Sequence, residues 1–590
     1  MELQYKDKKK LLRAALGQIP ADLCVKNVQL VNVFTGEILP ANVFVCDGFI
    51  CHVEYQDLEQ FDAKEVYDAE GQYMTPGFLD AHMHIESSML TPRHFAEVSI
   101  PWGTTTIITD PHEIGNVWGI EGVRYMHENS KDVPQRQFID IPSCVPAVPQ
   151  IEISGADFLA EQIEELSSLD RVIGLAEVMD FLAVIGGDDR MMDIIDVAKR
   201  KGLYIQGHAP FLSGRNLSAY LCGGPRTCHE SRSSLEGTEK MRQGMYVDMR
   251  ESSMSKNVKA VWDGVKDFTF FDTLCICTDD RESDDLLKVG HINDVLKIAI
   301  AHGMDPILAI KCATINTARE IHFDNIGAIA PGYVADMVLL PDLKEMRPSA
   351  VFFEGNLVAK DQQLLVNIPD HAYELETRNS MNVIKDLTVE DLRIKAPIQE
   401  GIVKVNVLTY LDHMLSSTES VVEELPVKDG YLDLSGDPDL NYVAVINRYG
   451  HDRMALHVVR RFGTNHGAIA STVSHDSHNL TCVYDNAENG LIAMKKLIEV
   501  GGGMCAVEDG KILHTLDLPV GGLMSVKHAA DLSVDATKMK EADRRLGLTQ
   551  MPNPLLRIVS LALPVIPKAK MSDVGLVNVN DKTLIPLFAE

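Results

Sequence analysis

The sequence predicts an α/β protein with three parts: a (β/α)₈ TIM-type barrel core, a small β-domain built from both flanking segments, and an additional C-terminal α+β domain. The barrel is predicted because short apolar runs alternate with helical patterns between residues 73 and 325, as in repeated βα units. Alternating apolar and polar residues on both sides of this stretch predict the β-domain. A doubly wound open sheet is the alternative for the core, since it needs no eighth strand.

The small β-domain is predicted to be assembled from two separate stretches of the chain. Residues 1–72 contain an amphipathic opening, which predicts an N-terminal helix, and then alternate apolar and polar residues from residue 22 onward. The β-like pattern returns within residues 326–382, in the runs PGYVADMVLL and AVFFEGNLVAK. Because neighbouring elements prefer short connections, we expect both stretches to pair in one sheet, with the barrel as an insertion between them.

Eight candidate strands follow one another in the predicted barrel, residues 73–325. They are, in order, PGFLDAHMH, TTTIITD, FIDIPSCV, VIGLAE, LYIQG, RTCHE, MYVDMR and LCICTD. Each ends in or runs directly into polar or ionisable residues. Because the carboxyl ends of barrel strands form the active-site face, this placement indicates chemistry more than stability.

The last third of the chain has a different pattern. Residues 383–590 mix strand-like and helix-like segments, including a helix at NAENGLIAMKKLIEV that the run Gly501 to Gly503 ends. This change predicts a separate C-terminal α+β domain. Because no fixed-period repeat is present, a solenoid is not expected.

Composition and charge exclude several classes of partner. The 590 residues carry a formal net charge of −30 at pH 7. Nucleic acids and anionic membranes are bound chiefly by clustered Lys and Arg, so neither is an expected partner. The first residues carry charges where a secretory signal needs an apolar core, which predicts a cytoplasmic protein. The 11 cysteines form no C-x-x-C pair, which predicts reduced thiols and no cysteine zinc site.

Ligand-type residues stand at the ends of several predicted strands. His82 and His84 lie in AHMHIESS, where a spacing of two puts both side chains on the same face of the strand. An isolated H-x-H pair is weak, but further ligand types end other strands in order: Glu177 in GLAEVMD, His208 in QGHAP, His229 in TCHES and Asp279 in CTDD. Nitrogen ligands with carboxylates suit Zn, Mn or Fe. Six ligands are more than one catalytic ion with an open position binds. They suit two ions about 3.5 to 4 Å apart, bridged by a carboxylate and a water-derived hydroxide.

Several of these motifs resemble one enzyme family over most of the chain. PGFLDAHMHIESSM, TDPHE, GLAEVMD, GHAP, CHES and CTDD are similar to the adenine deaminase family of the amidohydrolase superfamily. The resemblance implies a (β/α)₈ barrel beside a small β-domain, and hydrolytic deamination of adenine to hypoxanthine and ammonia in purine salvage. It implies a ligand set with His82 and His84 on one ion, His208 and His229 on the other, Glu177 bridging, and Asp279 as ligand and proton carrier. We expect two divalent ions, Mn²⁺ before Fe²⁺ or Zn²⁺, and a homo-oligomer of two or more subunits.

Two departures from related enzymes narrow the resemblance. Many relatives that hydrolyse cyclic amides bridge their metals with a carboxylated lysine at the fourth strand, where this chain has no lysine and offers Glu177. Mononuclear adenosine deaminases have a glutamate soon after the fifth-strand histidine, where this chain has HAPF. Both differences favour an adenine deaminase. The remaining alternatives are a cyclic amide hydrolase of the same superfamily and a non-catalytic barrel scaffold, because fold alone does not fix function.

Deamination needs a nucleophile at the ring carbon, a proton for a ring nitrogen and a proton for the departing ammonia. The bridging hydroxide would attack, and Asp279 would take its proton and pass it to the amino group. For the ring nitrogen we expect Glu113, with Glu86 as the alternative. Their position just beyond the metal-bearing or neighbouring strands is the only reason, and a structural role is the competing hypothesis for each.

Two further groups have open roles. Asp110 and His112, in TDPHE, either orient the metal ligands through hydrogen bonds or act directly. Arg250 and Glu251 end the seventh strand and either contact substrate or form a rim ion pair, which we favour.

The C-terminal segment STVSHDSHNL brings together His475, Asp476, His478 and Asn479. This group could form a lid or an auxiliary metal site, but a hydrogen-bonded turn is the simpler interpretation. The glycine runs GGLMS and GGGM predict turns or caps, since no Walker lysine follows them, so no phosphate-bearing cofactor is expected.

Overall fold

The chain opens with a short helix and five strands that begin a mixed sheet. The computed structural model describes residues 1–412, 417–566 and 568–589. Helix α1 (Lys8–Ala15) begins at Asp7, whose side chain accepts hydrogen bonds from two backbone N–H groups of the first turn. The strands are β1 (Ala21–Asn32), β2 (Glu37–Cys46), β3 (Phe49–Glu54), β4 (Ala63–Asp68) and β5 (Tyr73–Pro76). In this sheet β1 and β2 are antiparallel, and β4 and β5 run parallel to β1.

Eight parallel strands follow, one for each predicted run. They are β6 (Phe78–Met83), β7 (Thr104–Thr109), β8 (Arg136–Pro142), β9 (Val172–Val178), β10 (Tyr204–Gly207), β11 (Thr227–Cys228), β12 (Tyr246–Arg250) and β13 (Leu274–Cys277). β6 to β10 pair in chain order in one sheet, and β11 to β13 pair in a second. A parallel bridge between Met83 and Asp279 joins the first strand to the last. The hydrogen bond from Arg226 N to Ile205 O, 3.1 Å, links the two sheets on the other side. The parallel array therefore curls round on itself, as expected of a barrel core.

Helices lie between these strands and after the last one. They are α2 (Pro92–Ser99), α3 (His112–Trp118), α4 (Ile120–Asn129), α5 (Ala160–Leu166), α6 (Phe181–Gly186), α7 (Asp189–Lys201), α8 (Gly214–Gly223), α9 (Ser234–Arg242), α10 (Val258–Val265), α11 (Ser283–Lys288), α12 (Ile292–Ala301), α13 (Pro306–Cys312) and α14 (Ile315–Glu320). Helix α7 has local signals at both ends. Asp188 caps its first turn, basic residues occupy its last turn, and Gly202 ends it in the left-handed region at φ 73°.

The chain then returns to the first sheet through β14 (Met337–Leu340), β15 (Ala350–Phe353), β16 (Asn356–Lys360) and β17 (Gln363–Leu364). The sheet runs β17-β16-β15-β14-β5-β1-β2-β3, and β4 pairs with β1. β14 lies antiparallel to β5, which is the junction between the two flanking stretches. The prediction that both flanks share one sheet is confirmed.

The C-terminal part is built on a nine-stranded sheet of order β20-β19-β18-β22-β21-β24-β23-β25-β26. Its strands are β18 (Gly401–Tyr410), β19 (Thr418–Lys428), β20 (Tyr431–Leu432), β21 (Leu440–Ile446), β22 (Met454–Arg460), β23 (Ala468–Ser471), β24 (Leu480–Tyr484), β25 (Gly503–Glu508) and β26 (Lys511–Asp517). Helices α15 (Ala487–Val500), α16 (Ala529–Arg545) and α17 (Leu556–Val559) and a hairpin sheet of β27 (Ala569–Ser572), β28 (Gly575–Asn578) and β29 (Thr583–Ile585) complete it. The predicted helix is α15, which Asn486 caps and Gly501 ends at φ 87°.

This C-terminal part packs directly on the carboxyl-end face of the barrel. One continuous hydrophobic core contains Ile85, Leu90 and Phe95 from the barrel and Met524 and Leu532 from the C-terminal part. The backbone N–H of Ser525 donates to the carbonyl of Met89, 2.8 Å. The residues that follow the first barrel strand are therefore covered by the C-terminal part and not by water.

Two further sequence expectations concern cysteines and membranes. All 11 cysteines are free, and all but Cys222 are buried, which agrees with the predicted reduced thiols. Among the residues that the structure describes, no helix has both the length and the apolar character that crossing a bilayer requires.

A buried ion pair holds the barrel to the flanking sheet, which gives a stability prediction. Arg136, at the start of β8, pairs with Asp336, and its second nitrogen lies 2.8 Å from Glu354. Arg136 and Asp336 are 8% and 7% exposed. Removing one partner of a buried pair leaves an uncompensated charge, so we expect Arg136→Met to lower the free energy of unfolding by about 3 kcal/mol in urea denaturation.

The matched control is Arg124→Met. Arg124 lies 3.0 Å from Glu165, and both side chains are largely exposed, so the expected loss is below about 1 kcal/mol. Equal losses in the two variants would contradict the structural role given to Arg136.

Candidate active site

Six ligand-type side chains converge at the carboxyl ends of the barrel strands. We call this set the ligand cluster: His82, His84, Glu177, His208, His229 and Asp279. His82 and Glu177 belong to β6 and β9, and the other four stand one or two residues after β6, β10, β11 and β13. Five of the six are buried, and the His208 side chain is 13% exposed. The sequence-predicted metal ligands are therefore all brought together.

The first half of the ligand cluster surrounds one common point. His84 Nε2 lies 3.5 Å from Glu177 Oε1 and 3.3 Å from Asp279 Oδ1. His82 Nε2 lies 3.8 Å and 3.5 Å from the same two oxygens. Most of these separations are at or beyond the limit for a hydrogen bond, but they suit ligands arranged around an ion.

The second half of the ligand cluster lies on the other oxygen of Glu177. Its Oε2 is 2.6 Å from His208 Nδ1 and 3.0 Å from His229 Nε2. Each carboxylate oxygen of Glu177 thus faces a different pair of histidines. This is the geometry that a bridging carboxylate requires.

His82 and His84, at the end of the first strand, are oriented by hydrogen bonds from their Nδ1 atoms. His82 Nδ1 lies 2.5 Å from Gln206 Oε1, and His84 Nδ1 lies 2.9 Å from the carbonyl of Asp110. Donation from Nδ1 to these oxygens leaves both Nε2 lone pairs pointing into the cluster. His82 Nε2 is buried and has no hydrogen-bond partner among the described residues. A divalent ion would satisfy it, so the residues present fit such a group.

The charges in the cluster are arranged to keep its carboxylates ionised. Burial alone would raise the pKa of Glu177, but His229 and His208 hold it well below its ordinary value. Burial likewise opposes ionisation of Asp279, and Arg250 with the cluster histidines holds its pKa well below the usual range. Against burial, Asp279 and Glu177 raise the pKa of His84. Without an ion the histidine keeps a proton, so metal binding releases protons.

Asp279 is fixed by its backbone as well as by its charge. Its N–H donates to the carbonyl of His82, 3.0 Å, and its carbonyl accepts from the N–H of His84, 3.3 Å. Its φ of 58° lies in the left-handed region, which is uncommon for a residue other than glycine. Such strain persists only where surrounding structure holds it, and it concentrates at functional sites.

The prediction that Arg250 and Glu251 form a rim ion pair is wrong. Arg250 is 3% exposed, pairs with Asp279, and lies 2.6 Å from Glu230. Glu251 instead faces Lys256 at 3.4 Å. Successive residues of a strand point to opposite faces, so the end of β12 sends Arg250 inward and Glu251 away from it.

Asp110 is positioned to orient its neighbours through hydrogen bonds, which is one of the two roles predicted for it. Its Oδ2 accepts from the backbone N–H of Glu177, 2.7 Å, and lies 3.1 Å from His112 Nδ1. One carboxylate oxygen therefore fixes both Glu177 and the neighbouring His112.

Glu113 and Glu86 lie behind the wall of the site. Glu113 Oε1 accepts from the Ser87 hydroxyl, 2.8 Å, and the same hydroxyl lies 2.5 Å from Asp280 Oδ1. Glu86 Oε1 accepts from the N–H of Ile114, 3.3 Å. Burial, reinforced by Glu113, raises the pKa of Glu86 to about 8. Neither glutamate lines the cavity beside the ligand cluster, whereas Asp280 does.

A cavity of about 310 Å³ opens beside the ligand cluster. The barrel lines it with cluster residues and with Glu230, Arg250 and Asp280, among others. The C-terminal part supplies a further wall: His475, Asp476, Met551, Leu556, Ser560, Leu563, Val565 and Ile566. Sequence reasoning missed Glu230 and Asp280, although each directly follows a predicted ligand. No sequence signal marked the wall at residues 551–566.

The predicted C-terminal group divides between two roles. His478 Nδ1 accepts from the N–H of Ser474, 3.2 Å, and Asn479 Oδ1 accepts from the N–H of Arg448, 3.3 Å. These two side chains satisfy backbone groups, as the turn interpretation expects. His475 and Asp476 instead line the cavity.

Comparison with known proteins gives matches along nearly the whole chain. Residues 73–358 match the model of the amidohydrolase family, and residues 416–583 match that of the adenine deaminase C-terminal domain. The chain is 37% identical over 580 residues to adenine deaminase 2 of Carboxydothermus hydrogenoformans, covering 98% of this chain and 99% of that one. It is 36% identical over 585 residues to the adenine deaminase of Thermosipho africanus, with the same coverage of 98% and 99%. Among solved structures, an adenosine deaminase of Xanthomonas campestris with bound zinc has a TM-score of 0.44 and 16% identity, covering 59% of this chain and 95% of that chain.

The position of Glu177 predicts a change in metal content. Replacing Glu177 by Gln removes the charge that faces both histidine pairs, so we expect the affinity for divalent ions to fall by about 100-fold or more. Metal-free protein reloaded with Mn²⁺ and analysed by inductively coupled plasma mass spectrometry checks this. The control is Glu251→Gln, which removes a buried carboxylate that faces Lys256. Retention of the wild-type metal content by Glu177→Gln would refute the bridging position.

Proposed function

The chain belongs to the adenine deaminase family, and on that premise we propose that it hydrolyses adenine to hypoxanthine and ammonia in the cavity beside the ligand cluster. The observation that carries this proposal is the position of Glu177, with one oxygen towards His82 and His84 and the other towards His208 and His229. An ionised Asp279 stands beside the same histidines.

The ligand cluster would hold two divalent ions. His82, His84 and Asp279 would bind one, His208 and His229 the other, and Glu177 would bridge them. When bound, the ions supply an acidified water as nucleophile at neutral pH and stabilise negative charge on the reacting centre. Mixed imidazole and carboxylate ligands without thiolate suit Mn²⁺, which we propose, ahead of Fe²⁺ or Zn²⁺.

We propose that Asp279 carries the proton from the attacking water to the leaving amino group. Arg250 holds its Oδ2, and its Oδ1 faces His82 and His84. Because its pKa is depressed, Asp279 is ionised before the reaction and can accept a proton at Oδ1. The same oxygen then donates that proton to the departing ammonia.

The proton for the ring nitrogen would come from the Glu113 side of the site. Glu113 does not line the cavity, so we propose that it acts through the Ser87 hydroxyl, which lies within hydrogen-bond distance of both Glu113 and Asp280. Burial, with the neighbouring Asp279, raises the pKa of Asp280 to about 6, so this cavity-lining carboxyl exchanges protons near neutral pH. Glu86, with its raised pKa, is the alternative proton store.

The choice of deamination over cyclic amide hydrolysis rests on the bridging position. We propose Glu177 for that position, where the resemblance implies that many cyclic amide hydrolases carry a carboxylated lysine. Burying ionised groups costs free energy unless nearby charges or hydrogen bonds compensate them. A non-catalytic scaffold would gain nothing from burying this many ligand-type groups, so the scaffold alternative is disfavoured.

Several broader expectations belong to the same proposal. We propose that adenine is the small-molecule partner, that the protein serves purine salvage in the cytoplasm, and that it forms a homo-oligomer. The net charge of −30 supports the absence of a nucleic-acid partner. We also keep the division into residues 1–72, 73–325, 326–382 and 383–590 as a proposal.

Ammonia release tests the activity itself. Protein stripped of metal and reloaded with Mn²⁺ should release ammonia from adenine and should not open the ring of dihydroorotate. Glu177→Gln should lower kcat/KM for adenine by about 100-fold or more, because the ions are no longer held correctly. Ring opening of dihydroorotate, or metal-independent release of ammonia, would overturn the proposed reaction.

The pairing of Arg250 with Asp279 predicts a shift in the pH profile. Arg250 lowers the pKa of Asp279, so Arg250→Met raises it, and the ionised base is then lost at a higher pH. The acidic limb of kcat/KM should move upward by about 1 to 3 pH units. The matched control is Lys256→Met, which removes a cation that faces Glu251 at the rim. An unshifted acidic limb in Arg250→Met would count against Asp279 as the base.

A further inference from the structure

One buried carboxylate in the cavity wall has no role in the reaction described so far. Asp476 follows β23 in the C-terminal part, is 3% exposed, and lines the same cavity as the ligand cluster. The catalytic barrel therefore does not enclose the substrate site by itself. A charged side chain from residues outside the barrel forms part of it.

The partners of Asp476 do not satisfy it. Its Oδ1 lies 3.7 Å from His112 Nε2 and 3.5 Å from His475 Nδ1, at or beyond the limit for a hydrogen bond. Its Oδ2 has no hydrogen-bond partner among the described residues. Burial alone would raise the pKa of Asp476, but His112 and His475 hold it well below its ordinary value, so the group is a carboxylate. A buried charge with an unpaired oxygen requires a donor.

Ser560, which also lines the cavity, donates its hydroxyl to the carbonyl of Leu556, 3.0 Å, and not to Asp476. The other C-terminal residues that line the cavity are mostly apolar, including Met551, Leu556 and Leu563. A ligand that fills the cavity would therefore bring the donor itself. Adenine carries an N–H on its imidazole ring, and this N–H is the group that the nucleoside lacks, because the sugar replaces it.

The arrangement of the site directs the imidazole end of the purine towards Asp476. Asp476 is separated from the ligand cluster by His112, whose ring packs edge-on against that of His84 with centroids 4.6 Å apart. The reacting carbon belongs to the six-membered ring and has to lie at the cluster. The imidazole half of the base then extends away from the cluster, towards the C-terminal wall.

We propose that Asp476 accepts a hydrogen bond from the imidazole-ring N–H of adenine and thereby restricts the site to the free base. This inference rests on the proposed deamination of adenine. A site built to bind a substrate N–H rejects analogues without it, because its buried acceptor is left unpaired. Asp476 is thus a specificity-determining residue contributed by the C-terminal part.

The test compares kcat/KM for adenine and 9-methyladenine in Mn²⁺-loaded protein. 9-Methyladenine has no imidazole N–H and adds one small group. Wild type should prefer adenine by about 1,000-fold or more. The near-isosteric Asp476→Asn should lose about 10- to 100-fold in kcat/KM for adenine, with little change for 9-methyladenine, so the preference shrinks by the same factor. Asp476→Ala should shrink it further.

The matched control is Asp573→Asn. Asp573 is also a buried carboxylate between the C-terminal part and the barrel, and accepts from Ile153 N at 3.1 Å and Asn447 Nδ2 at 2.9 Å, but it does not line the cavity. This variant should keep the wild-type preference even if it is less stable. An equal loss of preference in Asp573→Asn would make the effect of Asp476 structural and overturn the proposal.

The remaining outcomes separate this inference from the proposed function. No deamination of adenine by wild type would refute the proposed function. Deamination with an unchanged preference in Asp476→Asn would refute only the role of Asp476. Competitive binding of 9-methyladenine to wild type as tight as adenine would also refute it, and needs no variant. A third ion per chain that Asp476→Asn loses would show that a cation, and not the purine, pairs with this carboxylate.

Discussion

The site depends on keeping two carboxylates, Glu177 and Asp279, ionised in a buried space. Burial opposes the ionisation of both groups, and the surrounding histidines, together with Arg250 at Asp279, hold both pKa values well below their ordinary range. The barrel makes this possible because side chains from β6, β9, β10, β11 and β13 meet at one end of the curled sheet. The histidines that favour ionisation of these carboxylates are also the candidate metal ligands, which would release protons on binding an ion.

The C-terminal part completes the environment that those charges need. Its core is continuous with that of the barrel near Ile85 and Phe95, and it places His475 and Asp476 in the cavity wall. Excluding water strengthens electrostatic interactions among the enclosed groups. Lys540 of α16 also forms ion pairs with Glu282, 2.5 Å, and Asp284, 3.1 Å. These two ion pairs join the C-terminal part to the chain just beyond Asp279.

The sequence predicts what local pattern and strand order determine, and little of what distant residues contribute. The eight strands and their polar ends follow from apolar periodicity, and the ligand residues follow from their position at those ends. The predicted rim ion pair of Arg250 and Glu251 was wrong because successive side chains of a strand point to opposite faces, so neighbours in the sequence point apart. Asp476 lies 197 positions after Asp279 in the chain, so its place in the cavity depends on how α16 and the large sheet pack on the barrel. The wall at residues 551–566 carries no chemical motif at all.

The most direct test of the account is the position of the metal ions. A crystal structure of Mn²⁺-reloaded protein, with anomalous differences measured above and below the manganese absorption edge, locates each ion independently of activity. The account predicts two peaks about 3.5 to 4 Å apart on either side of the Glu177 carboxylate, one near His82 and His84 and the other near His208 and His229. A single peak, or two peaks that Glu177 does not bridge, would contradict it.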